Sequence, residues 1–272
     1  LIKTFGEVMD LTTTRIQFTP DLMPADIIGT NVLVRDEEGN QLIRFQKGPI
    51  FSQVLLADEI NRATPKTQSA LLEAMQEQNV TVAGQSYALV PPFIVLATQN
   101  PIEMEGTYPL PEAQLDRFFF KLKVEYPAHD DLLSIVDRTT SGVLPVLERI
   151  LAAPEIVEFQ DLIRAVPASR PVMDYAVRLV YATHPDRDDS IDEVKRFVRY
   201  GSSPRGAQSL ILAAKVYALL DGRFTVSFDD IRRAALPSLR HRLILSFQGE
   251  AEGVDPDSIV ERVIENTPEA GR

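Results

Sequence analysis

The stretch QVLLADEINRATPKTQSALLEAMQEQNVTVAGQSYALVPPFIVLATQNP, residues 53–101, decides the fold. It opens on a short apolar run, 53–57, that stops at two adjacent acids, Asp58 and Glu59. It closes on a second apolar run that stops at the polar residues TQN. Short apolar runs with polar ends are the mark of strands buried on both faces, whose carboxyl ends open into a site. Between them Thr64 and Pro65 supply a cap and a first turn for a helix through about Gln78, with Ala70, Leu71, Ala74 and Met75 on one face. NVTVA and YALV then flank GQS as a hairpin.

Working outward, RIQF (15–18) reads as another strand, and the prolines of TPDLMP stop regular structure after it. NVLVR and QLIRF flank DEEGN as a hairpin with its tip from Asp36 to Asn40. At the start of the chain Leu1, Ile2, Phe5, Val8 and Met9 recur at helical spacing with no capping signal ahead of them, so the helix is expected to begin upstream of Leu1. FFFKLKVEY (118–126) is expected as a third buried strand. Beyond it the character changes: 130–138, 159–166, 172–183, 192–199, 205–220 and 229–236 have helical spacing and no strand pattern remains. The expectation is an α/β parallel-sheet core over residues 1–126, carrying two β-hairpins, and an all-helical domain over 127–272. The polar, acidic tail from Gly249 reads as a linker or a partly disordered end.

Composition removes several classes of function. The chain has 272 residues, 44% of them apolar, enough to bury a core. A net charge of −11 disfavours nucleic acid or an anionic membrane as the main partner. Zero cysteines exclude disulfides, thiolate zinc sites and cysteine nucleophiles, and the three histidines, His129, His184 and His241, are far apart. His241 reads as a packing or hydrogen-bonding residue, and the acidic run 186–193 as a solvated loop. No apolar run approaches the roughly 20 residues needed to span a bilayer, and the residues LIKTFGEVMD lack the long apolar stretch and small-residue cleavage site of a signal peptide. The default compartment is the cytoplasm.

Adjacent carboxylates after a buried strand suit phosphoryl chemistry: Asp58 can hold a hydrated Mg²⁺ and Glu59 can deprotonate a water for in-line attack. Asn100 ends the neighbouring strand with a side-chain amide that can hold that water. Arg117, in LDRF, stands at the sheet edge, within reach of a neighbouring subunit. Arg205 follows Ser203 and Pro204, a capped helix start in the second domain. Singly, these residues have ordinary readings: a turn, an ion pair with Asp116, an exposed arginine on a capped helix. Their order, each at the end of its own element, is what points to function.

With those residues in view, the chain resembles the MoxR family of AAA+ ATPases. The resemblance is carried by LLADEINRATPKTQSALLEAMQEQNVTV, FIVLATQNPIEMEGTYPLPEAQLDRFFFKL and RIQFTPDLMPADIIG, and it continues through SPRGAQSL and LRHRL. It implies a P-loop-type parallel sheet with a helical lid, binding ATP and Mg²⁺. Asp58 and Glu59 would be the Walker B acids, with Asp58 on the metal and Glu59 as the catalytic base. Asn100 would be sensor 1, Arg205 sensor 2, and Arg117 the arginine finger acting on the ATP of the adjacent subunit. Asn61 and Arg62 would lie near that subunit interface, and both hairpins would face the pore or the client. Partners implied are further copies in a ring, most simply a hexamer, together with von Willebrand A-domain proteins and the client complexes that such chaperone-like ATPases remodel. Neither nucleic acid nor membrane insertion is implied.

One feature departs from the pattern. None of the 13 glycines is followed by lysine, so GxxxxGK[ST] does not occur. The family pattern puts that loop immediately before Leu1, and the expectation is a chain truncated at its N-terminus, lacking the first strand and inactive by itself. Two alternatives stand beside the leading one: a magnesium-chelatase-type ATPase subunit, which shares the hairpin insert, and a non-hydrolysing scaffold.

Overall fold

The computed structural model describes residues 1–35, 37, 39–100, 106–142 and 146–269. Helix α1 (Ile2–Val8) opens the chain without a side-chain cap. Gly6 of α1 is packed so closely on the next strand that an added Cβ would sit 1.8 Å from the Thr13 hydroxyl. Then come β1 (Thr13–Gln17), α2 (Pro24–Ile28), and the antiparallel pair β2 (Gly29–Arg35) and β3 (Gln41–Lys47). Pro24 starts a helix rather than ending structure: it is the first residue of α2, where its missing N–H is harmless, and the Asp26 carboxylate accepts the Met23 N–H. Strand β4 (Val54–Asp58) and a 3-10 turn, Ile60–Arg62, precede α3 (Pro65–Glu77). Next follow β5 (Asn79–Val82) and β6 (Gln85–Ala88), then β7 (Ile94–Ala97) and α4 (Glu112–Leu115).

The described sheet is parallel with strand order β1-β4-β7, and Gln17 pairs with Asp58 and Ala57 with Ala97. Phe18, Ile27, Ile50, Leu55, Leu71 and Leu72 fill the core between this sheet and α2 and α3. Both hairpins form. In the second, the turn is Ala83–Gly84, one residue tighter than GQS suggests, with positive φ at both positions. In the first, tip residues Asp36 and Glu38 lie outside the described residues. Phe45 of β3 stacks on Tyr87 of β6 at 4.3 Å, with Phe51 edge-on, so the two hairpins share one aromatic cluster.

The expected third strand, 118–126, does not form. Its alternating Phe/Lys/Leu/Lys/Val pattern is strand-like, but a strand exists by pairing, and its backbone bonds go elsewhere. Lys121 N–H donates to the Pro237 carbonyl, and the Lys121 carbonyl accepts from Arg240. Leu122, Val124 and Tyr126 are 70%, 95% and 83% exposed.

The remaining elements are α5 (His129–Thr140), α6 (Ala153–Ala165), α7 (Arg170–Ala182), α8 (Asp192–Phe197), β8 (Val198–Tyr200), α9 (Pro204–Leu220), α10 (Phe228–Leu239), β9 (Ile244–Leu245), α11 (Phe247–Ala251) and α12 (Pro256–Asn266). Two features correct the sequence reading. A short antiparallel pair, β8 with β9, interrupts the helices. The tail is a folded helix: α12, capped by Asp255, buries Ile259, Val260 and Val263 against the core that Tyr175, Leu179, Leu210, Ile231 and Leu239 build. The polar average of that tail conceals an apolar stripe at helical spacing.

Candidate functional site

Strands β4 and β7 end side by side, and Thr98, just past β7, joins the two acids. Its hydroxyl donates to Asp58 Oδ1 at 2.5 Å and accepts the Glu59 N–H at 2.9 Å. Its backbone continues the ladder, donating to the Ala57 carbonyl and accepting from the Ile60 N–H. From the other side Arg15 of β1 donates to Asp58 Oδ2 through Nε at 3.0 Å and Nη2 at 2.5 Å. The Thr98 hydroxyl first, and Arg15 next, hold the Asp58 carboxyl below its usual range against a smaller opposing effect of burial. Asp58 is therefore anionic at neutral pH.

Glu59 adopts the left-handed backbone conformation, φ 54 and ψ 48, which turns the chain out of β4 into the 3-10 turn. Its carboxylate accepts from Gln17 Nε2 and from Arg62, each at 2.8 Å. Arg15 and Gln17, two apart on β1, point to the same face and are themselves bonded at 2.7 Å. Asn100 lies two residues beyond Thr98 at the same strand end and is half-buried. The segment 101–105 after it lies outside the described residues.

Arg117 and Arg205 belong to a second cluster, around Asp116. Arg117 donates to the Leu72 carbonyl of α3 at 2.8 Å and lines a cavity of about 240 Å³ with Ser69, Glu73, Gln76 and Gln114. The ordinary reading of Arg117, an ion pair with its neighbour, does not hold: the Asp116 carboxylate instead accepts from Ser203 at 2.8 Å and from Arg242 Nε at 2.9 Å, with Arg205 at 3.6 Å. Ser203 is also the cap of α9, its hydroxyl accepting the Arg205 N–H, whereas Thr64 precedes α3 without a side-chain cap bond. His241 is buried and bonds through Nε2 to the Phe118 carbonyl at 3.0 Å, a hydrogen-bonding residue as its context suggests.

The structure thus joins Asp58 to Glu59 through Thr98, leaves Asn100 on the same strand end, turns Arg117 to the Leu72 carbonyl and brings Arg205 to within 3.6 Å of Asp116. Sequence reasoning missed Thr98, Arg15, Gln17, Asp116 and Arg242. The alternation in RIQF was a usable signal for Arg15 and Gln17. Arg242 is 126 residues from its partner and gave none.

Residues 1–120 match the ATPase family associated with various cellular activities (AAA), and residues 192–263 match the AAA lid domain. Chaperone MoxR1 of Mycobacterium tuberculosis is 42% identical over 265 residues, 97% of this chain and 69% of that one. The chain belongs to the MoxR family of AAA+ ATPases. Another relative, Protein MoxR of Paracoccus denitrificans, is 30% identical over 253 residues, 85% of this chain and 72% of that one. A crystal structure of a protein from Cytophaga hutchinsonii has a TM-score of 0.89 and 39% identity to this MoxR-family chain, covering 98% of it and 80% of the other. The fold is the AAA+ fold, a parallel sheet followed by a helical lid.

The donor set fits the metal that AAA+ chemistry uses. Among the described residues no cluster of three metal-binding side chains exists. Mg²⁺ needs none, since it keeps several waters and is held by one or two carboxylates plus substrate phosphates. An anionic Asp58 with a lone pair left on Oδ1, which accepts only from Thr98, meets that need. No helix among the described residues is long and apolar enough to cross a membrane.

Proposed function

We propose that this chain carries the hydrolytic acids and the lid of a ring-forming, Mg-ATP-driven ATPase that remodels or activates client protein complexes. The observation that carries this reading is the Thr98 bridge, which fixes an anionic Asp58 and an adjacent Glu59 at the joined ends of two parallel strands. In this reading Asp58 holds the hydrated metal and Glu59 takes the proton from the attacking water. Asn100 orients that water from the neighbouring strand end. Arg205 reports the γ-phosphate to the lid, and Arg117 acts on the nucleotide of the next subunit, a role worth about 10³–10⁵ in rate.

The proposal extends to the architecture and its partners. Residues 1–126 form the AAA+ core and 127–272 the lid, each with its own apolar core. The ring is a homo-oligomer, most simply a hexamer in the cytoplasm, and the family resemblance supports von Willebrand A-domain proteins as partners. No glycine in these residues precedes a lysine, so the GxxxxGK[ST] phosphate cradle that this function needs is not among them.

The test is made on the gene product that includes a GxxxxGK[ST] loop. Glu59→Gln is expected to retain ATP binding and lose turnover, because the carboxylate is needed only for the water. Arg117→Ala and Glu59→Gln subunits, each inactive alone, are expected to regain activity on mixing, one supplying the site and the other the finger. Wild-type turnover in Glu59→Gln removes Glu59 from the chemistry; no recovery on mixing assigns Arg117 to its own subunit. Tight ATP binding by the 272 residues in calorimetry overturns the need for that loop.

A further inference from the structure

The segment 116–121, which contains Arg117, is strapped to the lid at Asp116, Phe118, Phe119 and Lys121. Buried Arg242 donates to Asp116 Oδ1 at 2.9 Å, to the Asp116 carbonyl at 3.2 Å and to the Phe118 carbonyl at 2.7 Å. His241 adds a bond to the Phe118 carbonyl at 3.0 Å, and Lys121 is held by Pro237 and Arg240. From the start of α9, the Ser203 hydroxyl reaches both Asp116 oxygens at 2.9 and 2.8 Å.

The two arginines on Asp116 differ in kind. Arg242 has a side chain only 2% exposed, and its guanidinium is further fixed by Ser209 and by the Ser238 carbonyl. Arg205 is 44% exposed and approaches no closer than 3.6 Å, a loose pair in high dielectric. One partner therefore anchors and the other is free to leave at little cost. Asp116 is the carboxylate through which the α9 and α10 ends of the lid grip the backbone on which Arg117 stands.

We propose that Asp116 is a positioning residue for Arg117: through it, the lid fixes where the finger is presented to the neighbouring subunit, and Arg205 links that presentation to the state of the subunit's own nucleotide. This rests on the function proposed above. Asp116 touches no reacting atom; it sets the place of a side chain that does.

The experiment is subunit mixing in the assembled ring, with Asp116→Asn as the probe. Turnover of the variant alone is expected to fall about 100-fold, the effect of a misplaced catalytic group, with ATP affinity changed by less than about threefold. Mixed with Glu59→Gln, which has a sound finger and a dead site, Asp116→Asn should regain activity. Mixed with Arg117→Ala, which shares the same defect, it should not. Rescue by Arg117→Ala, rescue by neither, or wild-type turnover of Asp116→Asn alone overturns the proposal. Should Asp116→Asn fail to assemble, the same two mixtures with Asp116→Glu, which keeps the charge but displaces it, decide the matter. The control pair separates the two levels. If Glu59→Gln and Arg117→Ala do not complement each other, the proposed function has failed; if they do and Asp116 sorts differently, only its role has.

Discussion

Thr98 and Asp58 meet across neighbouring parallel strands, the hydroxyl of one donating to the carboxylate of the other at 2.5 Å. Replacing Thr98 with Val keeps the shape and removes the hydroxyl. Asp58 then loses the largest influence holding its carboxyl low, and the Glu59 N–H loses its acceptor. Turnover in the full gene product is expected to fall about 10- to 100-fold, as when a group orienting a metal ligand is lost. Stability should drop by about 1 kcal/mol. Steady-state ATPase rates and urea unfolding check both; unchanged turnover takes Thr98 out of the site.

Arg242 and Arg205 share Asp116, yet their removal should differ sharply. Arg242→Ala removes the buried cation from a half-buried carboxylate and one of two donors from the Phe118 carbonyl, and is expected to destabilise by about 3–5 kcal/mol. Arg205→Ala, acting on an exposed pair at 3.6 Å, should cost less than about 1 kcal/mol. Chemical denaturation of the two variants side by side tests this, and equal losses would contradict the division between anchor and mobile partner.

What could be read from the sequence follows from where the information is stored. Asp58, Glu59 and both hairpins were legible because strand-end acids, alternation and turn residues are local signals. The Asp116–Arg242 clasp was not, because an arginine in LRHRL carries no mark of an aspartate 126 positions earlier. Residues 118–126 have the pattern of a strand, but pattern sets only which faces are apolar; the hydrogen-bond partner decides, and here residues 237 and 240 take that place. Helix α12 was hidden by averaging: Ile259, Val260 and Val263 form a stripe inside a segment whose mean composition is polar.

His241 gives the chain an acid-side sensitivity. Burial first, then the charge of Arg242, pushes its pKa down to about 4 from 6.5. Protonation would place an N–H at Nδ1, which is buried with no hydrogen-bond partner among the described residues. Between those two values the unfolded chain binds a proton that the folded one refuses, so stability falls as pH drops from about 6.5 to about 4. The full loss is on the order of 3 kcal/mol. His241→Gln should remove that slope. Urea midpoints at pH 7 and pH 5 measure it, and a variant as pH-sensitive as the parent would place the sensitivity elsewhere.

The turn of the second hairpin offers a change in the favourable direction. Ala83 has φ +49 and Gly84 φ +83, the pair of positive values that a two-residue type I′ turn needs to match strand twist. Gly84 adopts its value freely, but Ala83 brings its Cβ close to the following carbonyl oxygen, a strain that Asn relieves through local hydrogen bonding. Ala83→Asn is therefore expected to stabilise the chain by up to about 1 kcal/mol while leaving the Phe45–Tyr87 stack, and with it the aromatic cluster joining the two hairpins, in place. A thermal midpoint that stays the same or falls would mean that the turn relaxes to another conformation in solution, and that the register Val82 to Gln85 is held by the strands alone.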